Sequence, residues 1–231
     1  MSHPEEIRAI PLWINGHAYL TMAPTFIDVR DAHSQQIKRR TPLCGSLEAQ
    51  AAVAAAEQAQ PEWSVRRAAE RAALLSALAE ALAGYAEHFA GLLSEETGWT
   101  RAQAMDEISS ACEVLRFPTP ADTANGVLAI LCDRHQPFLA AVRHAVSWLL
   151  AGGTVILKPS PHVPSALFAL AELGTRCGFP AGVINVLHGD LAVIEALCAI
   201  DSPLDLRFVG EPDAAARVAA IAKTRGKTLL D

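Results

Sequence analysis

Cys132, Asp133 and His135 are the residues whose types and spacing most suggest reaction chemistry. A histidine can convert a nearby cysteine into a thiolate nucleophile, and its own charge changes near neutral pH. However, Cys132 ends an apolar segment that predicts a buried strand. We therefore interpret it as a core residue and His135 as a loop residue, and we predict no catalytic residue in this sequence.

The cysteines and histidines do not predict a metal site. The sequence has five scattered cysteines, with no CxxC motif and no Cys/His pair at a metal-binding spacing. His162 and His188 lie on predicted loops without further ligands nearby, so we do not interpret them as metal ligands. Reduced thiols of this kind are typical of a cytoplasmic protein.

Charge and hydropathy argue against two classes of partner. The 231 residues carry a formal net charge of −6 and a pI near 5.7, whereas a nucleic-acid backbone requires a basic surface. The apolar segment at 138–150 contains Arg143 and His144 and is too short to span a bilayer. The N-terminus has no basic region followed by an apolar core, so we expect no signal peptide. We predict a cytoplasmic protein that binds neither nucleic acid nor membrane.

The first half of the sequence predicts a short arm followed by helices. We place the strand-and-turn arm at 1–45 and a helical segment, packed on a sheet, at 46–117. Within them we predict a strand at 25–29 and helices at 46–60, 66–94 and 101–115. Pro61 is expected to interrupt the first helix, and Gly98 is expected to end the second.

Residues 126–231 change to a regular alternation of apolar strands and helices. We predict five strands, at 126–131, 154–157, 182–187, 204–209 and 227–230. The four intervening helices are predicted at 138–150, 165–177, 191–200 and 212–223. Such alternation is typical of a parallel sheet covered by helices on both faces. The sequence therefore predicts an α/β fold: a doubly wound, five-stranded, Rossmann-type sheet with an N-terminal helical appendage.

Several segments carry a family resemblance in a consistent order. Residues 151–160 read AGGTVILKPS, residues 178–190 read GFPAGVINVLHGD, and residues 208–210 read FVG. They resemble the segments AGNTVVLKPS, GLPPGVLNVVTGD and FTGS of the aldehyde dehydrogenase superfamily. The resemblance implies a domain that binds NAD or NADP.

The resemblance also implies roles for particular residues. Lys158 would hold the adenosine ribose, and Ser160 belongs to the same cofactor-binding segment. Gly189 would let the backbone approach the adenine end of the dinucleotide. Gly210 would begin the helix that faces the pyrophosphate, whose N-terminus suits an anion.

Three departures from the family pattern weaken the implied site. Glu211 stands where the family usually has serine, and its carboxylate would repel a pyrophosphate unless it points outward. Pro161 replaces a glutamate associated with ribose recognition. His135 replaces the asparagine that donates to the oxyanion, which leaves a degenerate oxyanion position. We therefore predict weak or absent NAD(P) binding.

The resemblance also bears on assembly and activity. In the family, a longer segment with a β-hairpin used in oligomerisation stands where this sequence has only residues 117–125. The family's usual tetramer therefore cannot be assumed. The sequence ends at residue 231, before the family's catalytic half, so we expect the catalytic domain to be absent.

Two functions remain open. The first is a truncated aldehyde dehydrogenase-like protein, not catalytic alone, with a structural or regulatory role. It would associate with itself or with a complete aldehyde dehydrogenase. The alternative is a subunit or fragment of an NAD(P)-dependent aldehyde dehydrogenase whose catalytic half is on another polypeptide or missing from this chain.

Overall fold

The computed structural model describes residues 7–121 and 126–230. Its strands are, in chain order, β1 (Leu12–Ile14), β2 (His17–Tyr19), β3 (Phe26–Arg30), β4 (Ile37–Pro42), β5 (Val127–Cys132), β6 (Thr154–Lys158), β7 (Ile184–Val186) and β8 (Leu204–Val209). Its helices are α1 (Ser46–Ser64), α2 (Ala68–Gly84), α3 (Ala86–Thr97), α4 (Arg101–Arg116), α5 (Leu139–Ala151), α6 (Ser165–Arg176), α7 (Leu191–Ala199) and α8 (Pro212–Thr224). None of these described helices is long and apolar enough to cross a membrane.

A six-stranded sheet of order β2-β1-β7-β6-β5-β8 forms the centre of the molecule. Strands β7, β6, β5 and β8 are parallel, while β1 and β2 form an antiparallel hairpin. The predicted α/β class is confirmed, but the predicted count of five strands is wrong. Trp13 pairs with Val186 and adds the hairpin to the sheet. Residues 227–230 contribute only an isolated bridge between Leu206 and Leu229.

Both faces of the sheet are covered, as the predicted doubly wound fold requires. All six residues of β5 are buried. Leu128 and Ile130 belong to a core that includes residues of α4, α5 and α6. Val127 and Ala129 belong to a second core with α1, α7 and α8. Because neighbouring residues of a strand point to opposite faces, this split places helices on both sides of β5.

The helical segment differs from the prediction in two places. The helix expected at 66–94 is two helices, because the chain bends at Tyr85 (φ −108°, ψ 15°). Leu82 before the bend and Phe89 after it are buried in the same core, so the apolar stripe continues across the break. The expected end at Gly98 is confirmed, with a left-handed φ of +81°.

Pro61 does not interrupt α1, contrary to the prediction. The helix continues to Ser64. The buried Trp63 anchors its last turn, because the indole N–H donates to the carbonyl of Leu149 at 3.0 Å. This tertiary contact compensates for the hydrogen bond that proline cannot donate. The short segment at 117–125, which is expected to replace the longer family segment, cannot be compared in full, since residues 122–125 lie outside the described residues.

Candidate functional site

The candidate site lies where the strand order reverses. The chain runs from β5 outward through β6 and β7, and then returns to the other side of β5 as β8. In open α/β sheets, ligands bind outside the carboxyl ends of the strands at such a reversal. Cys132 pairs with Val209 in the last register position of β5 and β8. Asp133 and Gly210, which follow them, therefore lie side by side at the predicted binding crevice.

The carboxylate of Asp133 occupies this crevice. It accepts hydrogen bonds from the backbone N–H groups of Glu211 and His135, both at 2.7 Å, and from that of Gln136 at 3.4 Å. Burial alone would raise the pKa of Asp133, but these hydrogen bonds hold it below its usual value. The side chain is therefore an ionised internal anion at neutral pH.

Gly210 leaves the space that Asp133 fills. Its φ is +152°, and a Cβ added there would lie 2.1 Å from the carboxyl carbon of Asp133. Glycine at this turn allows a close approach, and here the approaching group belongs to the chain itself. Gly210 thus precedes α8 as the resemblance implied, but its neighbouring space is not open.

Acidic groups surround the start of α8. Glu211 is the exposed N-cap residue, Pro212 is the first helical residue, and Asp213 lies in the first turn. Together with Asp133, this gives three carboxylates around a helix N-terminus that would otherwise attract an anion. Negative charge is therefore already present at the position where the family resemblance implies a pyrophosphate.

Lys158 lies at the same edge of the sheet but is buried. It pairs with Leu131 in the register of β5 and β6, and only 3% of its surface is exposed. Its Nζ donates to the carbonyl of Pro159 at 3.0 Å. Burial lowers its pKa to about 8, while the neighbouring Cys132 and Asp190 partly counteract that shift. The ribose contact implied for Lys158 stays a prediction, but this is not a solvated lysine.

Ser160 and Gly189 lie in tightly packed turns. The hydroxyl of Ser160 is buried and accepts from the backbone N–H of His162 at 3.4 Å. A Cβ added at Gly189 would lie 2.7 Å from the side chain of Val193. The strand ends bring both residues to the same edge as Lys158, and their cofactor contacts stay predictions.

His135 and Cys132 do not form a catalytic pair. The His135 side chain is exposed, and its Nδ1 lies 3.4 Å from the carboxylate of Asp133. Cys132 is buried, and burial raises the pKa of its thiol to about 12. A nucleophilic cysteine needs a lowered pKa. The geometry agrees with the interpretation of Cys132 as a core residue.

Sequence reasoning missed the role of Asp133. An aspartate directly after a buried strand, followed by polar loop residues, is a local signal for bonding to nearby backbone N–H groups. That signal predicts the bonds from His135 and Gln136. It gives no indication of the bond from Glu211, which is 78 residues away.

Comparisons with known proteins agree with this architecture. The model of the aldehyde dehydrogenase family matches residues 20–124 and 120–230, two stretches that meet at the link before β5. A mitochondrial, acylating methylmalonate-semialdehyde dehydrogenase from Arabidopsis thaliana is 26% identical over 99% of this chain and 41% of its own length. Succinate-semialdehyde dehydrogenase [NADP(+)] from Escherichia coli is 31% identical over 73% of this chain and 39% of its own length.

A solved structure has the same fold over nearly the whole of this chain. Lactaldehyde dehydrogenase from Escherichia coli superposes with a TM-score of 0.86 at 25% identity, over 97% of this chain and 52% of that protein. The chain therefore spans about half the length of the relatives that it matches.

Proposed function

We propose that this chain, which belongs to the aldehyde dehydrogenase family, is a structural or regulatory protein that is not catalytic by itself. In this proposal it binds NAD or NADP weakly or not at all. The observation that carries the proposal is the carboxylate of Asp133 at the N-terminus of α8, bonded to the backbone N–H of Glu211 at 2.7 Å.

The negative charges at the crevice support the proposal that dinucleotide binding is weak or absent. A pyrophosphate at this helix N-terminus would have to displace the Asp133 carboxylate from its three backbone donors. It would also add negative charge beside Glu211 and Asp213. Like charges at close range destabilise each other by an amount that grows as water is excluded. The same position that attracts phosphate in an open crevice therefore disfavours it here.

The cysteines support the absence of covalent catalysis. Burial raises the thiol pKa of each of the five, which are Cys44, Cys112, Cys132, Cys177 and Cys198. Thiols in apolar surroundings are protonated and unreactive at neutral pH, whereas a catalytic cysteine is activated by cations or a helix N-terminus. All five are free, which suits the cytoplasm that we propose as the location.

An exposed apolar patch supports association with another protein. Leu20, Met22 and Leu47 are largely exposed. The hydroxyl of Thr21 donates to the carboxylate of Glu48, so the segment with Leu20 and Met22 lies beside the start of α1. Exposed apolar side chains that lie near one another are a feature of interaction surfaces. The proposed occupant is a second copy of the chain or a complete aldehyde dehydrogenase.

One observation favours the alternative function. Lys158 places a buried cation at the carboxyl edge of the sheet, where the family resemblance assigns a ribose contact. If that contact forms, the chain would be the nucleotide-binding part of an NAD(P)-dependent dehydrogenase whose catalytic half is on another polypeptide.

Calorimetric titration of the 231-residue chain with NAD⁺ and NADP⁺ tests the proposal, with Lys158→Ala as the control. We expect no binding with a micromolar dissociation constant, which would correspond to about −8 kcal/mol. Micromolar binding that is lost in Lys158→Ala would overturn the proposal and favour the split dehydrogenase.

A further inference from the structure

A cavity of about 630 Å³ lies between α3, α6, the start of β4 and residues 7–11. None of the residues assigned to the dinucleotide site lines it. Its volume is within the range of pockets that enclose small organic ligands. The cavity is thus a second candidate binding site, separate from the crevice at Asp133.

Part of the cavity wall is apolar, and backbone pairing fixes the segments that supply it. Its apolar residues include Ile10, Ile37, Leu92 and Phe168. The backbone N–H of Ile10 donates to the carbonyl of Arg40 at 2.8 Å, so the segment before β1 runs along β4. Phe168 is held from behind by Trp13, whose ring centroid is 5.9 Å away in an edge-to-face arrangement.

The rim of the cavity carries positive charge that forms no salt bridge within the described chain. Arg8 and Lys38 line the cavity and are exposed. Neither forms a salt bridge with a described residue, although Lys38 interacts with Asp31 at longer range. His88 lines the same cavity.

The other charged groups of the lining already have partners. Arg39 is paired with Glu95 at 2.5 Å and with Glu96 at 3.2 Å. Glu172 is paired with Arg176 at 2.5 Å. Among the described residues that line the cavity, the charges without a salt-bridge partner are therefore positive, although the chain as a whole carries −6.

The geometry points to a binding site for an amphipathic carboxylate. Its hydrocarbon chain would lie against Leu92 and Phe168, and its carboxylate would lie at the rim near Arg8 and Lys38. A guanidinium group can hold a carboxylate through two parallel hydrogen bonds, and lysine adds a point charge. Burial of the hydrocarbon chain contributes to the binding free energy in proportion to the apolar area that it removes from water.

Titration with octanoate tests this site, with octanol and octylamine as probes of matched length. Calorimetry gives the affinities of the three probes. We expect octanoate to bind at least about tenfold more tightly than octanol, and octylamine more weakly than octanol, because the unpaired charge at the rim is positive.

Two variants separate the charged and the apolar contributions. Arg8→Ala/Lys38→Ala should weaken octanoate by about tenfold or more and leave octanol unchanged. Ala169→Phe, which fills the cavity, should weaken both. The charge-matched control Arg217→Ala/Lys223→Ala lies on α8, away from the cavity, and should change neither. The proposal is overturned if octanoate does not bind at millimolar concentration, or if the Arg8/Lys38 variant binds it as tightly as the unaltered protein.

Discussion

Asp133 and Glu211 are joined across 78 residues of sequence by a 2.7 Å hydrogen bond from the backbone N–H of Glu211 to the Asp133 carboxylate. The bond connects the end of β5 with the start of α8, the two elements that border the crevice of the sheet. A helix N-terminus favours a nearby negative charge. The chain supplies that charge itself, so the position is satisfied without a ligand.

Asp133 should therefore stabilise the start of α8 as a tertiary cap, because its carboxylate accepts from the backbone N–H of the N-cap residue Glu211. We expect Asp133→Ala to lower the free energy of unfolding by about 1 kcal/mol, the usual cost of losing such a cap. Because the folded-state pKa of Asp133 is lowered, its contribution is present above pH 3.8 and is lost as the pH falls through the folded pKa. Urea unfolding at pH 7 and near pH 3 measures the difference. Asp213→Ala, at an exposed residue in the first turn of α8, is the control, and equal losses for both variants would contradict the capping role.

Glu96 should make stability depend on pH in the opposite sense. It is only 5% exposed, and it accepts hydrogen bonds from the backbone N–H and hydroxyl of Ser165 and pairs with Arg39. Burial raises its pKa to about 7, so its contribution is present below pH 4.5 and is lost as the pH rises through 7. Relative to Glu96→Gln, the unaltered protein should lose up to about 3 kcal/mol between pH 5 and pH 8.

Urea unfolding across that pH range measures the loss for each protein. Glu95→Gln, at the more exposed residue paired with the same arginine, is the matched control. Stability curves for Glu96→Gln and the unaltered protein that stay parallel from pH 5 to pH 8 would contradict this account of Glu96.

Gly182 and Gly226 offer a matched test of close packing. Both have positive φ, at +82° and +69°. A Cβ at Gly182 would lie 2.4 Å from the carbonyl oxygen of Ala55, whereas nothing lies within 4 Å of one at Gly226. We expect Gly226→Ala to cost about 1 kcal/mol from its backbone conformation. Gly182→Ala should cost about 2 kcal/mol more, from overpacking. Thermal unfolding distinguishes them, and similar costs would mean that α1 yields easily to the added methyl group.

The thiols should react slowly with Ellman's reagent. Cys177 is half-buried and the other four cysteines are buried, and burial raises the pKa of every one. We expect Cys177 to react first in the native protein, and all five to react after unfolding in urea. Cys177→Ser should remove the early native reaction. Rapid modification of Cys132, located by peptide mass spectrometry, would indicate an activated thiol and contradict the account.

Much of the parallel sheet could be predicted from the sequence because its signals are local. The strands β5 and β6 are continuous apolar runs, as expected for strands buried on both faces. Gly98 ends α3 in the left-handed conformation that glycine adopts without strain. Such features depend on a few neighbouring residues, so a short window of sequence is enough to identify them.

The features that sequence reasoning missed depend on distant contacts. The bend at Tyr85 is hidden because Leu82 and Phe89 continue one apolar stripe across it. The attachment of β1 to the sheet needs Trp13 to pair with Val186. The state of the candidate site depends on Asp133 meeting Gly210, and no local pattern indicates that contact.

The most direct test of the central claim compares NAD⁺ binding by the unaltered protein, Asp133→Ala and Asp213→Ala in one calorimetric series. Circular dichroism first checks that all three are folded. If the internal carboxylate fills the crevice, Asp133→Ala should bind NAD⁺ at least about tenfold more tightly than the unaltered protein. Asp213→Ala removes only the repulsion of an exposed charge, so it should gain clearly less affinity than Asp133→Ala. Micromolar affinity in the unaltered protein, or no gain in Asp133→Ala, would contradict the claim that Asp133 closes this site.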